Sequence, residues 1–273
     1  MQQAQLIAMW FAMALYAGAT VLYVYYFLEK RRVISWYATF LTGAGFLFQT
    51  AAIIFGWIAT GRFPVAGPFN SLLLAAWGLV AVYFVVEHLV KVKVLGTLLL
   101  PVAVVALVTA QIVGPAASVK PIVQGWLVGI HVTLLALANA GFAVAAGSSI
   151  LYLVQETQLK RHHTSVLLKR LPSLGQADAL ANTAVIWAYP TYTAGLLLGV
   201  LRAVDKLHGN WWLDPRVMVA GVVWLIFGVY LYLRYRGTLS TRGAAYLALA
   251  GFMVVIILFV VVRVAPGPLT GFA

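Results

Sequence analysis

Runs of about 20 apolar residues return along the whole chain, separated only by short polar breaks. One such run, coiled as a helix, is long enough to cross the roughly 30 Å hydrocarbon core of a bilayer. A spanning segment meets no water that could satisfy its backbone N–H and C=O groups, so each span must be helical. Eight spans are expected, at about 4–28, 36–59, 70–88, 94–113, 126–154, 182–204, 216–234 and 243–263. The expected fold is all-α, a polytopic membrane helical bundle of about eight transmembrane helices. With 63% hydrophobic and 9% charged residues, the chain leaves no stretch for a soluble domain of ordinary size, so 1–273 reads as a single integral membrane domain.

The formal charge of +12 would suit a nucleic-acid binder, but its distribution points elsewhere. Alternate loops collect Lys30, Arg31, Arg32, Lys91, Lys93, Lys160, Arg161, Lys169, Arg170, Arg234, Arg236 and Arg242. The other side carries only Arg62, Lys120, Arg202, Lys206, Arg216 and Arg263. Such an asymmetry is a topology signal, and it places both termini outside. An even number of spans demands the same arrangement. Met1 to Gln5 carries no positive side chain and the first apolar run continues to about Leu28, so this stretch reads as a span and not a cleavable signal. The chain has no cysteine, which excludes thiol redox chemistry, disulfides and thiolate metal sites.

Most features of the spans have a packing explanation. Ala136, Ala140, Ala143 and Gly147 form a small-residue stripe that lets helices approach closely. Pro190 falls inside the sixth span and is expected to kink it. Glu87 and His88, at the edge of the third span, read as solvated. The inner loop 155–182 holds Lys160-Arg161-His162-His163, a topology anchor or a partner-docking segment; the histidine pair lacks a nearby carboxylate to complete a metal site.

The polar and aromatic residues gather in one outer loop, His208-Gly209-Asn210-Trp211-Trp212-Leu213-Asp214-Pro215-Arg216. Asp214 and Pro215 suit the N-cap and first turn of the next helix. Trp211 and Trp212 suit interfacial anchors. Together with Arg202, Lys206 and Arg216 they also suit a binding surface, where indole faces stack on a planar macrocycle and guanidinium groups meet carboxylates. His131, about one turn inside the fifth span, is either an interfacial histidine or an iron ligand. No nucleophile–base pair, phosphate loop or paired intramembrane carboxylate is present. A binding and transfer module is therefore expected in preference to an enzyme.

Asp214-Pro215-Arg216 followed by Trp224-Leu225-Ile226-Phe227-Gly228-Val229-Tyr230-Leu231 resembles the tryptophan-rich loop and next helix of the CcsA/ResC/HemX-type cytochrome c assembly proteins. Gly61-Arg62-Phe63-Pro64 through Ala76-Trp77-Gly78, Trp126 through His131-Val132-Thr133, and Leu171-Pro172-Ser173-Leu174 also resemble segments of that family. The resemblance covers most of the chain, and length and span number are closest to the HemX type. It implies a bacterial cell membrane location and haem handling, with haem b as cofactor, beneath the outer loop. There His131, His208, Trp211, Trp212, Asp214, Arg62, Arg202 and Arg216 are the candidate contacts, with His131 on iron. By the same resemblance, the other outer ligand position falls near Thr270 and the membrane pair on Gln49 and Tyr232. The acidic residue before the third span falls on Asn70, and Leu213 replaces an expected tryptophan. Three of four ligand positions thus lack histidine. The partners implied are haem, other cytochrome c assembly proteins, or, through HemX, glutamyl-tRNA reductase, whose level it would regulate. The remaining alternative is an accessory subunit of a membrane complex.

Overall fold

A computed structural model describes residues 1–61, 63–65, 67–114, 126–161, 171–207 and 211–264, with the side chains of 202, 203, 205–207, 211 and 260–264 outside that description. The described residues form eight long helices: α1 (Gln2–Glu29), α2 (Arg32–Thr60), α3 (Gly67–Val90), α4 (Gly96–Val113), α5 (Trp126–Lys160), α6 (Leu174–Leu207), α7 (Pro215–Tyr235) and α8 (Thr241–Val264). All eight are long and apolar enough to cross a membrane. Short 3-10 turns stand before α4 (Lys93–Leu95) and before α7 (Trp211–Leu213).

The boundaries differ from expectation mainly around the basic connection. α5 continues to Lys160, and α6 begins at Leu174 instead of near 182. A capping box starts α6 early. The Ser173 hydroxyl accepts the Gln176 N–H at 3.2 Å, and the Gln176 side chain accepts the Ser173 N–H at 3.1 Å. The first turns beyond it are polar outside but bury Ala177, Leu180 and Ala181, so the helix is amphipathic there and hydropathy alone overlooks it. α6 then runs through Pro190 as one helix.

The chain divides into two compact units, 1–116 with 157–172 and 117–156 with 173–273. Each is built from four helices, and the second repeats the internal plan of the first. In the first unit Trp77 on α3 donates its indole N–H to the Thr50 hydroxyl on α2 at 3.0 Å and stacks on Phe46 at 5.5 Å. In the second, Trp224 on α7 donates to Thr193 on α6 at 3.0 Å and stacks on Tyr189 at 5.8 Å. Thr50 and Thr193 each pass their own proton to the carbonyl one turn back, on Phe46 and Tyr189, at 2.8 Å. The register is constant along each helix. Phe46, Thr50 and Gly56 correspond to Tyr189, Thr193 and Gly199, while Pro68, Trp77 and Tyr83 correspond to Pro215, Trp224 and Tyr230.

The helix crossings follow the same register. α1 meets α2 where a Cβ on Gly45 would lie 2.7 Å from the Tyr16 ring. α5 meets α6 where a Cβ on Gly141 would lie 2.7 Å from Ala188. Gly45 and Ala188 are counterparts, so the small residue that permits close approach has moved to the opposite helix of the pair. The stripe Ala136, Ala140, Ala143 and Gly147 is buried, as its packing role requires.

Glu87 departs from expectation. It is buried, not solvated, and is the hub of the first unit's basic end. Tyr23 donates to its carboxylate at 2.8 Å, Thr39 also donates to it, and Lys93 Nζ lies 3.6 Å away. A carboxylate removed from water needs such partners. The neighbouring His88 is exposed and stacks on Phe84. In the second unit the Glu87 position is Arg234, whose guanidinium pairs with Asp178 at 2.8 Å.

Candidate functional site

The geometry that bears on ligand binding lies at the end of the second unit opposite its basic loops. α5 begins at Trp126 and brings His131 against α6. The His131 Nδ1 lies 2.7 Å from the carbonyl oxygen of Gly195. A carbonyl only accepts, so Nδ1 carries the proton and Nε2 is the nitrogen left for other use. The ring fits because position 199 is glycine: a Cβ there would lie 2.5 Å from His131 Cε1. Leu135, one turn further along α5, packs on Gly195 in the same manner. Gly195 and Gly199 thus form a notch one helical turn long that fixes the imidazole. Neither glycine stood out in the sequence, where isolated glycines in apolar runs are common; only their spacing of four, opposite a histidine, marks them.

The tryptophan-rich loop reaches α6 as well. The turn Trp211–Leu213 packs against α6 and α7. Asp214 caps α7, accepting the Arg216 N–H at 2.8 Å, with Pro215 at the first helical position. This is the capping role read from the sequence. Asp214 is 3% exposed, and its second oxygen, Oδ2, has no hydrogen-bond partner among the described residues. Trp212 is exposed and Arg216 half-buried. His208, Arg62 and Thr270, the side chains of Arg202, Lys206 and Trp211, and the pair His162-His163 lie outside the described residues.

The two positions assigned to a membrane ligand pair behave differently. Gln49 is fully buried in the first unit, and both ends of its amide are used. Oε1 accepts the Tyr16 hydroxyl at 2.7 Å, and Nε2 donates to the Leu73 carbonyl at 3.0 Å. It ties α1, α2 and α3 together and does not fit an iron ligand. Tyr232 is 59% exposed on α7, with the Arg236 guanidinium over its ring, and takes no part in the core. Asn70 sits in the first turn of α3. His131 does fit a haem iron ligand, because histidines that bind metal commonly donate their other ring N–H to a backbone carbonyl. No group of three or more His, Cys, Asp or Glu that could hold a separate metal ion occurs among the described residues.

The family described as cytochrome C assembly protein matches residues 66–269, which includes α3 through α8 and the whole tryptophan-rich loop. The chain belongs to the cytochrome c assembly protein family. Its family relatives include Protein HemX of Bacillus subtilis (strain 168), 29% identical over 249 residues and covering 89% of both chains. Protein HemX of Brevibacillus brevis is 29% identical over 81% of this chain and 82% of its own. Cytochrome c biogenesis protein CcsA of Guillardia theta is 27% identical over 76% of each. Among solved structures, a cytochrome c heme lyase CcmF superposes over 98% of this chain with a TM-score of 0.69 and 17% identity. This chain spans about half (48%) of that lyase, so the likeness is one of fold. The family and the eight helices together make the protein a multi-pass membrane protein.

Proposed function

We propose that the protein is a haem-handling membrane protein that holds haem b beneath the tryptophan-rich loop, with His131 Nε2 as an iron ligand. The observation that carries this reading is the 2.7 Å bond from His131 Nδ1 to Gly195, which sets the tautomer and orientation a metal-bound imidazole needs. Haem is the cargo, and the chain's own residues receive and orient it. Trp211 and Trp212 would offer indole faces to the macrocycle, and Arg62, Arg202 and Arg216 would meet its carboxylates. His208, inside the loop, is the candidate second ligand, since the family's other outer ligand position falls near Thr270, which is no histidine. The protein acts as a carrier and not as a catalyst, in a bacterial cell membrane, with both termini outside. A carboxy-terminal reporter active only in the cytoplasm would overturn that orientation.

The test is an absorption titration of the detergent-purified protein with ferrous haem. Wild type is expected to give a saturable Soret band that shifts or disappears in His131→Ala. An absence of saturable binding in wild type would sink the haem reading.

A second reading follows from the use of Gln49 as a packing residue, because it removes one of the family's ligand positions altogether. On this reading the protein is a HemX-type regulator of haem synthesis that sets the level of glutamyl-tRNA reductase. Reductase abundance unchanged in a deletion strain would count against it.

A further inference from the structure

The α2–α3 face of the first unit carries a groove of about 840 Å³, lined chiefly by Trp36, Phe40, Leu47 and Phe84 around Gly43 and Ala44. The lining is almost wholly apolar, and its one hydroxyl, on Thr39, is turned inward to Glu87. Trp36, Phe40 and Leu47 are 61%, 58% and 70% exposed, so the groove is open along its length. Its depth comes from Gly43, where an added Cβ would already touch the Phe84 ring at 3.4 Å.

One end of the groove carries two cations, Arg32 and Lys91, and an imidazole N–H donor, His88. Arg32 lies one turn before Trp36 on the same stripe of α2. His88 lies one turn beyond Phe84 and stacks on it at 6.0 Å. Lys91 closes the end of α3 in a left-handed conformation, with φ 58°. All three are exposed, and among the described residues none is paired with a carboxylate. Glu87, the nearest acid in sequence to His88 and Lys91, is spent on Lys93, Tyr23 and Thr39, and Glu29, three residues before Arg32, lies 4.0 Å from Arg31.

The repeat provides an internal control. At the counterpart positions of the second unit, Gly43 and Ala44 become Ile186 and Trp187. Arg32, His88 and Lys91 become Gly175, Tyr235 and Thr238. The small residues that give the groove its depth and the basic residues at these three positions are therefore both replaced in the second unit, whose own arginines stand at other positions, Arg234 and Arg236.

We propose that this groove binds an anionic phospholipid, one acyl chain lying between α2 and α3 and the headgroup phosphate meeting Arg32, His88 and Lys91. The apolar floor accepts hydrocarbon. The cations select the headgroup, each Lys or Arg near a negatively charged membrane surface being worth about a fivefold gain in affinity. None of these residues belongs to the His131 site, so the two proposals stand or fall separately.

The experiment is native mass spectrometry of the full chain in detergent, titrated with dioleoyl phosphatidylglycerol or dioleoyl phosphatidylcholine. Wild type is expected to form a one-to-one phosphatidylglycerol adduct at least about fivefold tighter than the phosphatidylcholine adduct. Arg32→Gln with Lys91→Gln should lower phosphatidylglycerol to the phosphatidylcholine level with helicity unchanged. Gly43→Leu, or Ala44→Leu where the first fails to fold, should weaken both lipids. Equal binding of the two lipids by wild type, or phosphatidylglycerol binding untouched by the charge and groove variants, would overturn the proposal. So would haem displacing the bound phosphatidylglycerol in wild type, since the groove would then be a tetrapyrrole site.

Discussion

His131 donates its Nδ1 proton to the carbonyl oxygen of Gly195 across 2.7 Å, and this bond leaves Nε2 as the nitrogen with a lone pair to offer. The ring can lie there only because residue 199 has no side chain. Gly199→Ala would put a methyl group 2.5 Å from Cε1 and swing the imidazole out of its notch. Haem affinity in the absorption titration is expected to fall by about 10–100-fold, the range for losing the outer support of a metal-bound histidine. Leu197→Ala, on the exposed side of the same helix turn, should leave it unchanged. A Gly199→Ala protein that titrates like wild type would remove the notch from the account.

Gln49 leads to a different expectation, because it holds three helices together. Gln49→Leu strands the Tyr16 hydroxyl in an apolar interior, at a cost of about 1–3 kcal/mol, while the Leu73 carbonyl, inside α3, keeps its helical N–H donor and loses only its second bond. Thermal unfolding in detergent should show the loss. Adding Tyr16→Phe should recover part of it, since the hydroxyl that lost its acceptor is then gone. A double variant as unstable as the sum of the two singles would mean that the Tyr16–Gln49 bond contributes nothing.

The contrast between these two residues shows what the sequence discloses. Fold class, span number and the cap at Asp214 follow from apolar run length and from local chemistry, both of which a single segment displays. His131 was visible as a polar residue in an apolar run, but its tautomer depends on a glycine carbonyl some sixty positions away. Gln49 reads as a degraded ligand position by family resemblance, and its packing role is not legible in the sequence because its partners, Tyr16 and Leu73, lie on other helices. Glu87 was read as solvated for the same reason: nothing in the local sequence announces that Tyr23, Thr39 and Lys93 converge on it. The internal repeat was hidden because its buried positions keep spacing while changing identity, as in Gln49 against Tyr192 and Glu87 against Arg234.

The Glu87–Lys93 pair should behave as a coupled unit. Lys93→Met removes the cation and leaves a carboxylate that is 3% exposed, so the unit is expected to lose about 2–3 kcal/mol. This is below the full cost of breaking a completely buried pair, because Lys93 itself reaches solvent. Lys93→Met with Glu87→Gln should be more stable than Lys93→Met alone, since no uncompensated charge remains; Tyr23 can still donate to the amide oxygen, and Thr39, with its own proton on the Ser35 carbonyl, can accept from the amide N–H. The comparison is made by thermal unfolding in detergent. A double variant less stable than Lys93→Met would show that Glu87 is held by its hydroxyl donors with no call on the lysine.

The repeated tryptophans allow a prediction that neither unit makes alone. Trp77 and Trp224 each give one indole N–H to a threonine hydroxyl at 3.0 Å, and each threonine gives its own proton to a carbonyl one turn back. Trp77→Phe or Trp224→Phe therefore removes a donor without leaving the threonine unsatisfied. The ring that remains can still stack on Phe46 or Tyr189. The hydrogen-bond part of each loss is expected at about 0.5–1.5 kcal/mol, the net worth of a bond whose acceptor keeps another partner. The smaller ring adds a packing loss at both sites. Because the two constellations match in donor, acceptor and hydrogen-bond distance, and each indole stacks on an aromatic ring, the two substitutions should cost the same to within about 0.5 kcal/mol, and together they should add, as independent sites do. Thr50→Val and Thr193→Val provide the cross-check, each expected to make the matching tryptophan substitution cheaper. Two tryptophan variants differing by more than about 1 kcal/mol would mean that the repeat preserves shape but not energy, and that one of the two helix pairs has been retuned for a separate task.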